Sequence, residues 1–140
     1  MSRSRTWLLK TEPSEYSFDD LERDGVATWD GVTNPLALQH LREIEAGDEI
    51  VVYHTGRERA AVGLARVIRG AYPDSRREDG RYVVVDLEPA SRFAHPVSLA
   101  KIQADPLLSG IDLVRLPRLS VMPIAPAHRT RLLALGAGQR

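Results

Sequence analysis

The middle of this chain constrains the fold most. Three β-rich segments follow one another closely: residues 48–55, residues 60–68, and residues 81–88, where Tyr82, Val83, Val84, Val85 and Leu87 give the strongest signal. Gly56, the Tyr72-Pro73-Asp74 turn, Asp79-Gly80 and Pro89 punctuate them. These gaps are too short for the crossover helices that consecutive parallel strands require. Helical signals fall near the ends and in one early insertion. The expected fold class is therefore α+β, with a curled, mostly antiparallel sheet flanked by helices.

The flanks read as follows. Residues 5–11 form a strand built on Trp7, Leu8 and Leu9. Ser17 caps a helix through Arg23, with Asp19 and Asp20 in its first turn and Gly25 as its stop. Asn34-Pro35 starts a second helix, asparagine at the cap and proline at the first position. Leu38, Leu41 and Ile44 follow at helical spacing, and Gly47 ends the run. Ser98 can cap a short turn through Gln103. Residues 118–123 read as an edge strand, because Pro123 cannot donate to a ladder. Ala125-Pro126 opens a closing helix.

A chain of 140 residues fits one domain spanning residues 1–140, and at this size it buries roughly 68–70% of its unfolded surface. It has no cysteine, which removes disulfides and thiolate metal sites. The basic start, Met1-Ser2-Arg3-Ser4-Arg5, leads into only Trp7-Leu8-Leu9 before Lys10, too short for a signal-peptide core. No apolar run approaches the roughly 18 residues of a membrane span. The expectation is an intracellular, cytoplasmic protein with no membrane partner. Nineteen basic and nineteen acidic residues cancel to a formal charge of zero, whereas proteins that grip nucleic acid through phosphates are usually strongly basic. Arg57, Arg59, Arg66, Arg69, Arg76, Arg77 and Arg81 cluster in sequence, but a solvated strand face is the plainer account of such a cluster.

Residues 7–35 carry the chemistry. A strand ends at Lys10-Thr11-Glu12-Pro13, offering a cation, a hydroxyl and a carboxylate in a rigid turn. Such a set can read the edge of an extruded base; an exposed ion pair in a turn is the plainer account. Trp29 sits beside Asp30-Gly31. It can stack on a planar ligand or simply pack in the core. Asn34 can exchange hydrogen bonds with a ligand, although as a helix cap it already has a structural task. His54, after Tyr53 at a strand end, could serve as a base or as a hydrogen-bonding strut. Glu12 and His54 would form an acid–base pair if the fold joined them, which keeps a small hydrolase or nuclease open as an alternative. The four histidines show no metal spacing, and neither a nucleophile elbow nor a glycine-rich phosphate loop is present.

These segments together resemble the EVE-domain family of the PUA-like superfamily. The matching pieces are the run from Trp7 to Leu21, Trp29-Asp30-Gly31-Val32, the Gly47-Asp48 turn before the strand ending Tyr53-His54, Ala61-Val62-Gly63-Leu64-Ala65, Ala71-Tyr72-Pro73-Asp74, Pro96-Val97-Ser98-Leu99 and residues 116–123. The resemblance implies a small bent β-barrel flanked by helices. It also implies a non-catalytic module, without cofactor or metal, that reads a modified base of DNA or RNA in an aromatic pocket, the base expected to be an enlarged pyrimidine. Carried across, Lys10, Thr11 and Glu12 line one wall, Trp29 stacks on the base, and Asn34 lies at the rim. Tyr53, His54 and Tyr72 shape the rest. Thr33 and Leu38 stand where many relatives carry arginine. A protein-interaction module is the further alternative, and a monomer is compatible with everything above.

Overall fold

A computed structural model of the chain describes residues 4–139; the basic stretch Met1–Arg3 falls outside them. The apolar run Trp7-Leu8-Leu9 lies wholly buried in strand β1 (Thr6–Thr11). There follow α1 (Phe18–Asp24), β2 (Ala27–Trp29), α2 (Pro35–Glu43), β3 (Glu49–His54), β4 (Ala60–Pro73) and β5 (Val83–Ser98). The chain closes with α3 (Leu99–Ala104), a 3-10 turn (Pro106–Leu108), α4 (Asp112–Arg115), β6 (Val121–Ile124) and α5 (Pro126–Gly136). The strands form one sheet in the order β2-β5-β4-β3-β1-β6. Only β1 and β3 run parallel; the other four pairings are antiparallel. The α+β class is as expected. The two outer strands, β2 and β6, do not pair, so the bent sheet stays open.

Local sequence explains most boundaries. Ser17 and Asp20 form a reciprocal capping box at the start of α1, and Gly25 ends it at φ 76°. Asn34 caps α2 by accepting the Ala37 N–H at 3.0 Å, with Pro35 at the first position. Pro123 sits in β6, a sheet edge.

Strand β5 differs from expectation. It runs on past Glu88 to Ser98, through Pro89 and Pro96. The ladder shifts register at both places: Leu64 pairs with Ser91 but Ala65 with Pro89, and Ala61 pairs with Val97 but Gly63 with Arg92. Bulges of this kind absorb a proline without sacrificing the sheet. Gly63 matters for a second reason. A Cβ there would lie 2.8 Å from both the Phe18 ring and the Ser91 carbonyl, so glycine lets Phe18 of α1 lie flat against the strand pair.

One carboxylate ties the start of the chain to the β3 approach. Asp48, 3% exposed, accepts the Arg5 and Glu45 backbone N–H groups at 3.0 Å each and the Trp7 indole N–H at 2.9 Å. The Arg5 guanidinium lies 4.3 Å above the same indole. Removing Asp48 strands a buried indole N–H, and hydrogen bonds to a charged group are the strong ones. Asp48→Ala is therefore expected to lose about 3 kcal/mol of unfolding free energy, read by urea denaturation, with Asp48→Asn losing less.

Candidate functional site

Parallel strands end on the same side. The β1–β3 register sets Lys10 against Tyr53 and Thr11 against His54, and the Thr55 N–H continues the ladder to the Thr11 carbonyl at 2.9 Å. Five of the eight expected site residues (Lys10, Thr11, Glu12, Tyr53 and His54) thus share one end of the sheet. Lys10 is half-buried. Its Nζ donates to the Pro117 carbonyl at 2.8 Å and lies 5.8 Å from the Tyr53 ring centre, and burial holds its pKa below the ordinary lysine value. Burial pushes the Tyr53 hydroxyl up, while the charge of Arg59 pulls it partly back.

The turn after β1 is built on Glu12. Its carboxylate accepts the Ser14 hydroxyl at 2.9 Å, the Ser14 N–H at 3.2 Å and the Thr55 hydroxyl at 3.4 Å. These bonds, the Ser14 hydroxyl first, hold Glu12 below the usual carboxylate range. Gly56, at φ 75°, presses close: a Cβ there would sit 2.5 Å from Glu12 Oε2.

His54 does not pair with Glu12, contrary to the acid–base alternative. It is 6% exposed, and its Nε2 accepts the Phe18 N–H at 3.0 Å. The ring proton therefore lies on Nδ1, which meets Glu58 Oε1 at 2.7 Å. Both nitrogens are occupied. His54 is a strut that caps the first turn of α1 and ties it to β3, not a free base.

Trp29 joins this end through Tyr16. The Thr11 hydroxyl donates to the Tyr16 carbonyl at 2.7 Å, and the Tyr16 ring stands edge-on to Trp29 at 6.2 Å and 89°. Trp29 is 8% exposed; its indole N–H has no protein acceptor among the described residues and reaches the surface. The two rings make a right-angled aromatic corner. Tyr16 also bonds Asp24 at 2.9 Å, and burial first, then that bond, push its phenol up to about 12. Tyr16 lies inside the Trp7–Leu21 block but is not among the expected site residues, because its meeting with Trp29 depends on the fold and not on spacing.

Tyr72 and Asn34 lie elsewhere. Alternation along β2 puts Thr28 on the face opposite the Trp29 indole, and Asp30, just past the strand, shares a cleft with Thr28. There Tyr72 and Thr28 both donate to Asp86 Oδ1, at 2.7 and 3.0 Å, and Arg69 stacks 3.6 Å from the Tyr72 ring centre. This face holds a cleft of about 320 Å³ lined by Tyr72, Thr28, Asp30 and Arg76. A larger cleft of about 960 Å³ opens at the other end of β1 and β3, between Thr6, Glu49, Ile124 and Arg129, with Arg129 bound to Glu49 at 2.6 and 3.1 Å. Lys10, Thr11, Glu12, Trp29, Asn34, Tyr53 and His54 line neither cleft. Asn34 is exposed; its Oδ1 serves the α2 cap, which leaves the amide nitrogen available.

The arginine cluster divides in two. Arg76 clasps Asp30 and Asp74, Arg81 binds Asp79, and Arg77 lies 4.3 Å from the Tyr82 ring centre. Arg57 and Arg59, at the β3–β4 turn, have no carboxylate partner among the described residues. Leu38 is 2% exposed and packs in the core, whereas Thr33 is exposed.

Among the described residues no group of acidic, histidine or cysteine side chains could hold a metal ion, and no helix is long and apolar enough to cross a membrane.

Fold and strand-end site together define a PUA-like domain with an aromatic corner beside polar strand ends. The EVE domain family matches residues 5–135, and the chain belongs to that family. Thymocyte nuclear protein 1 of Mus musculus is 27% identical over 94% of this chain and 74% of its own length. The NMR structure of Rpa0253 from Rhodopseudomonas palustris is 33% identical with a TM-score of 0.91, covering 97% of this chain and 95% of that one. The human THYN1 protein, solved in complex with DNA containing 5-methylcytosine, is 25% identical with a TM-score of 0.88, covering 95% and 98%. ASCH from Zymomonas mobilis, 9% identical at a TM-score of 0.57, shares the fold.

Two outcomes test this geometry. His54→Ala leaves the Phe18 N–H without a partner; it is expected to lower stability by roughly 2–3 kcal/mol and to speed hydrogen exchange at the start of α1. The second concerns Asp74, which bonds to Arg76 hold below the ordinary carboxylate value. A depressed pKa contributes stability that is present above the unfolded value, roughly 3.9, and is lost as the pH falls through the folded one. Acid unfolding curves of wild type and Arg76→Ala should therefore converge below about pH 4, the variant showing the shallower decline.

Proposed function

We propose that this chain is a non-catalytic nucleic-acid-binding module that reads a modified base, with 5-methylcytosine in DNA as the first candidate. The observation that supports this reading is the meeting of the Trp29–Tyr16 corner with the Thr11 and His54 ends of β1 and β3, with Lys10 at the same strand end. The human relative bound to 5-methylcytosine DNA supports it from outside the chain.

On this reading the base leaves its stack at a cost of a few kcal/mol, least when it is unpaired. The indole of Trp29 receives its face, and base–aromatic stacking of this kind is worth roughly 1–3 kcal/mol. Tyr16 bounds the base from the side, at right angles. Lys10, held by a carbonyl and partly desolvated, presents a strong donor at the strand end over the Tyr53 ring, and the indole N–H adds another. Asn34 can add its amide from the α2 cap. Glu12 and His54 act through the turn and the strut they build. A methyl group on the base adds apolar area against the two rings, a gain of about 0.8 kcal/mol when buried.

The test is a titration of short single-stranded DNA carrying one 5-methylcytosine, against the same sequence with cytosine. Wild type should prefer the modified strand by a few-fold. Trp29→Ala should bind the modified strand roughly 5- to 150-fold more weakly, the range that the stacking energy implies. Equal binding by both proteins removes Trp29 from the reading.

A further inference from the structure

We propose that Arg57, Arg59 and Arg118 form a phosphate-binding rim around the Lys10–Tyr53 end of the sheet, holding the nucleic-acid backbone that flanks the base. This deepens the base-reading proposal and rests on it for the identity of the polymer.

Three observations place the rim. First, topology brings three separate segments to one edge. β6 runs antiparallel to β1, pairing Leu9 with Val121, and the Lys10 N–H donates to the Ser120 carbonyl at 3.0 Å. The segment leading into β6 therefore passes beside Lys10, whose Nζ holds the Pro117 carbonyl at 2.8 Å, and Arg118 is the next residue. On the other side the β3–β4 turn carries Arg57 and Arg59 directly beyond Tyr53 and His54.

Second, these three arginines are exposed and have no carboxylate partner among the described residues. Arg76, Arg81, Arg92, Arg115, Arg129 and Arg131 all do have one. Glu12 and Glu58 also lie here, bonded by Ser14, Thr55 and His54 and keeping their charge, so Lys10 and the three arginines outnumber them by four to two. Arg42 bonds the Arg81 carbonyl and Arg69 stacks on Tyr72, each apart from the others, whereas at the Lys10 end of a formally neutral chain three guanidinium groups come from two neighbouring segments.

Third, Arg59 is the single non-glycine residue with positive φ among the described residues, at 45°. Its carbonyl is held by the Leu99 N–H at 2.8 Å, which keeps the turn in that shape. Glycine takes such a backbone more easily than arginine, and the held turn fixes where this side chain leaves the chain.

Phosphate contacts have a signature that base contacts lack: each one steepens the fall of log K with log salt by about 0.7 on single strands. The experiment compares wild type with the triple variant Arg57→Ser, Arg59→Gly, Arg118→Ser. Glycine at 59 suits the left-handed backbone. The probe is short single-stranded DNA with and without 5-methylcytosine, titrated over roughly 50–200 mM salt. The triple variant should keep its melting temperature and its preference between the two strands while its salt slope falls by about 2. Arg115→Ser, whose Asp112 partner lines the larger cleft at the other end, should keep the wild-type slope. A triple variant with the wild-type slope overturns the rim. Equal wild-type binding to both strands overturns base reading while the slope still decides the rim. No wild-type binding at any salt overturns both.

Discussion

The parallel pairing of β1 with β3 is the constraint on which the rest of this molecule depends. Two parallel neighbours cannot be joined by a tight turn. The chain must leave β1 at Thr11, travel away and return to β3 at Glu49, and the connecting segment holds α1, β2 and α2. That single requirement has two results. It aligns Lys10 with Tyr53 and Thr11 with His54 at one edge. It also provides the excursion that carries Tyr16 and Trp29 back toward that edge.

The excursion is anchored at both ends by hydrogen bonds. At its start the Thr11 hydroxyl holds the Tyr16 carbonyl, and His54 Nε2 receives the Phe18 N–H. At its end Asp48 gathers the Arg5 and Glu45 backbone and the Trp7 indole. Among the described residues no buried side-chain nitrogen or oxygen lacks a partner, as an ordered interior requires. The histidine that looked most like a catalyst is one of these anchors. Its neighbours, not its residue type, assign it that role.

Neutral overall charge conceals an uneven distribution. Around β2 and the β4–β5 connection, arginines and aspartates neutralise one another, and Arg76 bridges the segment after Trp29 to the turn after β4. Exposed ion pairs of this kind add little stability; their geometric effect is to hold one loop against another. At the Lys10 end the arginines are left over. A net charge cannot distinguish these two arrangements.

Much of this protein was legible in its residues, because the deciding rules are local. The capping box at Ser17, the Asn34-Pro35 start, the β-rich run of Val83–Val85 and the edge position of Pro123 follow from chemistry within a few residues. The block from Trp7 to Leu21 was distinctive enough to indicate the family. What the residues alone left open depends on partners distant in sequence. The continuation of β5 through two prolines needs bulges opposite β4. The pairing of His54 with Glu58 and Phe18, the meeting of Tyr16 with Trp29, and the placement of Tyr72 on the opposite face of β2 each arise from register and strand alternation. A side chain's neighbours across a sheet are set by which strands pair and in what register, and that is decided only when the whole chain has closed around its core.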